Sequence, residues 1–85
     1  MFTIRYSKQA VKTFLKMPEV VAQRIHAELE KIAKEPSRYK GDWKRLKGSP
    51  FWRLRVGNWR VICDDVKKEL IVYVLKIGSR GDVYK

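Results

Sequence analysis

The chain has 85 residues, which leaves room for a single domain, residues 1–85, built around one core. Hydrophobic types make up 45% of it, with three Trp, four Tyr and three Phe, and that content of aromatics excludes a disordered tail. Twenty Lys and Arg against nine Asp and Glu give +11, divided as +5 over residues 1–40 and +6 over residues 41–85, so the whole domain is basic and suited to a polyanion.

No apolar stretch approaches the roughly 20 residues that span a bilayer, and no basic amphipathic segment reads as a surface anchor, so no membrane partner is expected. The opening Met-Phe-Thr-Ile-Arg-Tyr lacks the apolar stretch of a signal peptide. One cysteine, Cys63, precludes an internal disulfide and reads as a small core residue in a reduced, cytoplasmic setting. A single Cys and a single His also exclude the usual zinc motifs, and no metal or cofactor is expected.

Along the chain, Phe2, Ile4 and Tyr6 alternate with Thr3 and Arg5, which predicts a short strand. Ser7 is a good N-cap for a helix that carries Ala10, Val11, Phe14 and Leu15 on one face. Pro18 ends that helix and suits the first turn of the next, which reaches about Glu35 with Val21, Ile25, Leu29, Ile32 and Ala33 on its buried side. Residues 36–50 read as a basic loop. Strands are predicted at 51–56 and 59–64, joined by the two-residue turn Gly57-Asn58. A polar turn at 64–68, opened by Asp64 and Asp65, leads to a run at 69–77 that is apolar on both faces, as in a central strand. The order is β-α-α-β-β-β: an α+β domain with a helical hairpin on one face of a mostly antiparallel sheet and the other face free. The first strand joins an edge or inserts beside the last.

The hairpin register sets Arg55 opposite Arg60, Leu54 opposite Val61, Arg53 opposite Ile62 and Trp52 opposite Cys63. One face is then wholly apolar, while the other gathers Arg53, Arg55 and Arg60 with Ile62 alone apolar. Like charges directly opposite on a sheet are destabilising, and an anion between them relieves the repulsion. Guanidinium groups also hold phosphate oxygens bidentately. The ordinary alternative is a solvated outer face. Tyr84, near Arg80 in the tail, either stacks on an unpaired base or seals the sheet edge. Lys44, Arg45 and Lys47 either grip an RNA backbone or belong to a solvated loop. His26 reads as a boundary residue on the flank of the second helix.

These residues carry a resemblance. Trp-Arg-Leu-Arg-Val-Gly-Asn-Trp-Arg-Val (52–61), the loop Leu46-Lys47-Gly48 and the tail Ile-Gly-Ser-Arg-Gly-Asp-Val-Tyr (77–84) resemble the RelE/ParE toxin superfamily, and within it the RelE-type messenger RNA interferases. The likeness extends over essentially the whole chain. It implies the RelE-like fold and the toxin of a type II toxin–antitoxin pair, a metal-independent endoribonuclease that cleaves messenger RNA in the ribosomal A site. The 2′-hydroxyl attacks the adjacent phosphate, and translation stops. It also implies a RelB-like antitoxin as partner, and no sequence-specific DNA binding by the toxin alone.

By position, Arg53 and Arg55 fall where relatives carry two basic residues, Arg60 where a phosphate is held, Arg80 where the leaving group is assisted, and Tyr84 where the nucleotide is stacked or oriented. The catalytic set is then Arg55, Arg60, Arg80 and Tyr84, with Arg53, Lys44, Arg45 and Lys47 binding RNA. Two departures matter. Some relatives have lysine at the positions of Arg53 and Arg55, and an arginine cannot give up its proton to act as a base. The histidine common before the tail arginine is Ser79 here. The general base is therefore unassigned. A ParE-type inhibitor of DNA gyrase on the same fold, and a non-catalytic RNA- or ribosome-binding module, are the competing readings.

Overall fold

The computed structural model describes residues 2–66 and 71–79. Among them the chain runs as β1 (Thr3–Tyr6), α1 (Lys8–Lys16), α2 (Glu19–Lys34), a 3-10 turn (Pro36–Arg38), β2 (Trp43–Arg45), β3 (Trp52–Val56), β4 (Trp59–Val66) and β5 (Ile71–Ser79). The five strands form one sheet in the order β1-β5-β4-β3-β2. Neighbours are antiparallel except β1, which lies parallel to β5 on its outer side. The first strand is thus both at an edge and beside the last strand.

Ser7 performs the capping role its position suggests. Its Oγ accepts from the Ala10 amide at 3.1 Å and donates to the Leu75 carbonyl at 2.6 Å. One side chain therefore starts α1 and ties it to β5. The core gathers Ala10 and Met17 of the first helical segment and Ile25, Leu29, Ile32 and Ala33 of α2. Against them lie Leu54, Val56, Val61, Cys63, Val72, Val74 and Ile77 of the sheet. Val21 is half-buried beside this cluster. Burial in apolar surroundings pushes the Cys63 thiol well up, as befits a small core residue.

Several expectations are corrected. On α1 the buried stripe is Ala10 with half-buried Phe14, while Val11 is exposed and Leu15 is 81% exposed, because those two sit one step round the helix from the line that meets β5. The segment 36–50 is not all loop: Trp43–Arg45 adds a fourth C-terminal strand, pairing Trp43 with Leu54 and Lys44 with Arg53. It is held by a ring contact and by backbone. Trp43 stacks on Trp52 with ring centroids 5.2 Å apart, and the Arg55 amide donates to the Asp42 carbonyl. Asp64 and Asp65 do not open a turn but lie inside β4, opposite Tyr73 and Val72. The last strand is central, yet Tyr73 and Lys76 on it are exposed, so it is apolar on one face only.

Upstream of β2, Tyr39 donates to Glu28 at 2.8 Å, and a side chain at Gly41 would run into its ring. That hydrogen bond, with Lys31 beside it, holds the Glu28 carboxyl below its ordinary value. Gly57 takes φ +59, the left-handed conformation that the tight turn between β3 and β4 requires.

Candidate nucleic-acid interface

The β3–β4 register is the one the two-residue turn demands: Val56 faces Trp59, Arg55 faces Arg60, Leu54 faces Val61, Arg53 faces Ile62 and Trp52 faces Cys63. The helices cover the face holding Leu54, Val56, Val61 and Cys63. Arg53, Arg55 and Arg60 therefore share the other, open face. Sheet pairing brings more groups to it. Lys44 joins through Arg53, and Lys76 joins through Ile62. Tyr73 joins through Asp64, and Arg5 joins through Tyr73. One row across four strands thus reads Lys44, Arg53, Ile62, Lys76, with the Arg55–Arg60 pair in the row beside it.

Ile62 is only 6% exposed although no helix covers it. Its cross-strand neighbours are Arg53 and Lys76, whose aliphatic stems can lie over it while their charged ends reach water. Arg53 is anchored by a carboxylate. Its Nη2 donates to Asp42 Oδ1 at 2.6 Å, and its Nε is buried with no partner among the described residues. Arg55 is exposed and Arg60 half-buried, so two guanidinium groups confront each other across adjacent strands at the centre of a basic surface. Asp42 is the partner of Arg53.

The other loop cations separate. Lys44 points to the basic face, whereas its neighbour Arg45 pairs with Trp52 on the opposite side and donates from Nε to the Ser49 carbonyl at 3.3 Å. Lys47 is exposed in the turn that follows β2. Arg80 and Tyr84 lie outside the described residues. Arg5, Lys76, Tyr73 and Asp42 were not singled out from the sequence. The alternation of Thr3 and Arg5 with Ile4 and Tyr6 carried a signal for Arg5, but only the parallel pairing with β5 tells which surface it joins.

Elsewhere, Tyr6 Oη lies 2.8 Å from His26 Nδ1, and His26 Nε2 lies 2.8 Å from Glu30 Oε1. A carboxylate accepts only, so Nε2 carries the proton and a neutral ring accepts from Tyr6 at Nδ1. Burial, then the nearby Cys63 and Glu30, pushes the Tyr6 hydroxyl up to about 12. This chain of groups sits on the helical side, away from the arginines. Among the described residues no group of three or more His, Cys, Asp and Glu gathers to hold a metal ion. Nor is any helix among them long and apolar enough to cross a membrane.

A two-helix layer on one face of a five-stranded sheet, with the opposite face open and cationic, defines a small α+β domain with arginines gathered on its uncovered face. Residues 4–84 match the family described as the ParE toxin of the type II toxin–antitoxin system parDE, and the chain belongs to that family, within the RelE/ParE toxin superfamily. No curated protein matches the sequence significantly.

Solved structures agree on the fold. The archaeal RelE–RelB complex from Pyrococcus horikoshii OT3 is similar at 28% identity and a TM-score of 0.81, over 95% of this chain and 97% of that one. The RelB–RelE antitoxin–toxin complex from Methanococcus jannaschii is similar at 24% identity and 0.76, over 94% of both chains. The isolated E. coli RelE toxin is similar at 20% identity and 0.79, over 99% of this chain and 92% of that one.

Proposed function

We propose that this toxin is a ribosome-dependent endoribonuclease that cuts messenger RNA in the A site without a metal. The observation that carries the reading is the Arg55–Arg60 pair on an open face with Lys44, Arg53 and Lys76 around it, an arrangement that folding alone does not favour.

The chemistry such a face supports is phosphoryl transfer within the RNA. The 2′-oxygen bonds to phosphorus as its proton leaves, the bond to the 5′-oxygen breaks, and that oxygen takes up a proton. The products are a cyclic phosphate and a free 5′-hydroxyl. The five-coordinate phosphorus carries more negative charge than the starting diester, so cations already in place stabilise it selectively. Arg55 and Arg60 take that role. Arg53, already anchored by Asp42, and Lys44 hold the neighbouring backbone, with Lys47 at its margin; Arg45, on the other side of the sheet, does not join them. Arg80 and Tyr84 are proposed to complete the site at the leaving group and the stacked nucleotide. Because arginines cannot serve as the base, the proton leaves to ribosomal RNA, to water or to Tyr84.

The partner proposed is an antitoxin of RelB type. The two archaeal structures described above are complexes of RelE with RelB, and an acidic, partly disordered chain complements a +11 surface.

Primer extension on a messenger RNA under translation in a purified system, with a ribosome-free control, tests this. New cuts at A-site codons that require ribosomes are expected. The match to the ParE family favours a second reading, inhibition of DNA gyrase. Supercoiling blocked by the protein, with no cuts in translated RNA, would replace the first reading by the second.

A further inference from the structure

Tyr73 is anomalous within its strand. Val72, Val74 and Ile77 of β5 are buried, while Tyr73 is 38% exposed on the face no helix covers. The register sets it directly between Asp64 of β4 and Arg5 of β1. Residues so paired carry side chains on one face about 5 Å apart at Cβ. The row Asp64–Tyr73–Arg5 thus offers an aromatic ring flanked by an acceptor-only carboxylate and a guanidinium. It is continuous with the cationic surface through Lys76. It lies four residues along β4 from Arg60, about 13 Å at the usual strand rise.

We infer that Tyr73, Asp64 and Arg5 form a base subsite for single-stranded RNA, selective for guanine, on the same face as the phosphate cluster but beyond it. The inference rests on the RNA reading above. The chemistry assigns the parts. A tyrosine on a basic surface stacks an unpaired base whatever its identity. Arg5 takes the phosphate of that nucleotide. Asp64 supplies the selectivity, because an ionised carboxylate only accepts hydrogen bonds. Guanine offers two parallel N–H donors on its Watson–Crick edge, which a carboxylate accepts together. Adenine and cytosine offer one amino group there, and uracil's single N–H sits between two carbonyls that repel a carboxylate. The distance from Arg60 sets this base apart from the bond that is cut, so the subsite chooses where along the message the toxin seats.

The test uses the whole protein and two labelled oligoribonucleotides, oligouridine and the same sequence with one central guanosine, in fluorescence anisotropy at fixed salt. The wild type is expected to bind the guanosine oligomer about tenfold more tightly, the size of one good bidentate contact. Asp64→Asn brings that ratio to about one, since an amide presents a donor as well as an acceptor. Tyr73→Ala weakens both oligomers about tenfold and Tyr73→Phe restores the binding, because stacking needs only the ring.

Equal binding of both oligomers by the wild type, with binding lost in Arg55→Ala, overturns the subsite and leaves the RNA reading standing. A guanosine preference that survives Asp64→Asn in a protein with an unchanged circular dichroism spectrum overturns it as well. No binding of either oligomer overturns the subsite too, while ribosome-dependent cutting in the primer-extension assay decides the RNA reading separately.

Discussion

The two faces of the sheet are made by the same strands under opposite rules. On the helical side, Leu54, Val61, Cys63, Val72 and Val74 are fully buried among aliphatic neighbours, and every one of them serves the core. On the open side, the same strands carry Arg53, Arg55, Arg60 and Lys76, like charges set close together, with Asp42 paired to Arg53. Stability resides on one face, and the other has been left to spend some of it on function. The comparison teaches that substitutions on the two faces should separate into those that unfold the protein and those that silence it.

The sharpest way to break that separation is Leu54→Ala. Leu54 has no exposure and sits centrally in the core, so its truncation is expected to cost about 2–5 kcal/mol in urea unfolding, much of a small domain's stability. A cost under about 1 kcal/mol would mean the core is not where burial puts it. Arg60→Ala should do the reverse. Cleavage of translated RNA is expected to fall about a hundredfold or more, while the urea midpoint barely moves. Wild-type cleavage in the folded variant would remove Arg60 from the proposed site.

Ser7→Ala tests the join between layers. Losing both the cap and the bond to Leu75 should cost about 1–2 kcal/mol, read by thermal unfolding, with cleavage unchanged below the transition. Asp42→Asn sharpens the charge contrast. The half-exposed ion pair with Arg53 contributes up to about 1 kcal/mol, and its loss should also tighten RNA binding by freeing a cation.

The smallest effect is at alkaline pH. Tyr6 holds its proton to about 12 in the folded state against 10.0 as its ordinary value, so its contribution is complete below pH 10 and lost as pH rises through 12. Tyr6→Phe should flatten that part of the stability profile in a pH series of denaturation curves.

The placement of Arg55 opposite Arg60 was legible because its geometry is local. Gly57-Asn58 fixes a two-residue turn, the turn fixes the register, and alternation then sends Arg55 and Arg60 to one face. What stayed hidden depends on distant pairing. Nothing near Tyr73 or Lys76 tells that one face of β5 is open, and the register shift between Ile62 and Cys63 on the paired strand breaks simple counting from Arg60. β2 was missed because its three residues, Trp43, Lys44 and Arg45, are too few for a period of two to emerge from a basic loop. On α1 both Ala10–Phe14 and Val11–Leu15 satisfy a helical spacing, and only the contact with β5 decides between them. The fold class needed none of these details, since a helical hairpin followed by a β-hairpin and an apolar strand has few ways to close.

The parallel pairing of β1 with β5 has a consequence in the order of synthesis. Thr3 waits for Ile71, and the Ser7 hydroxyl waits for Leu75, each 68 residues later in the chain. β1 therefore has no strand partner until β5 has been made, and contacts of such range close slowly.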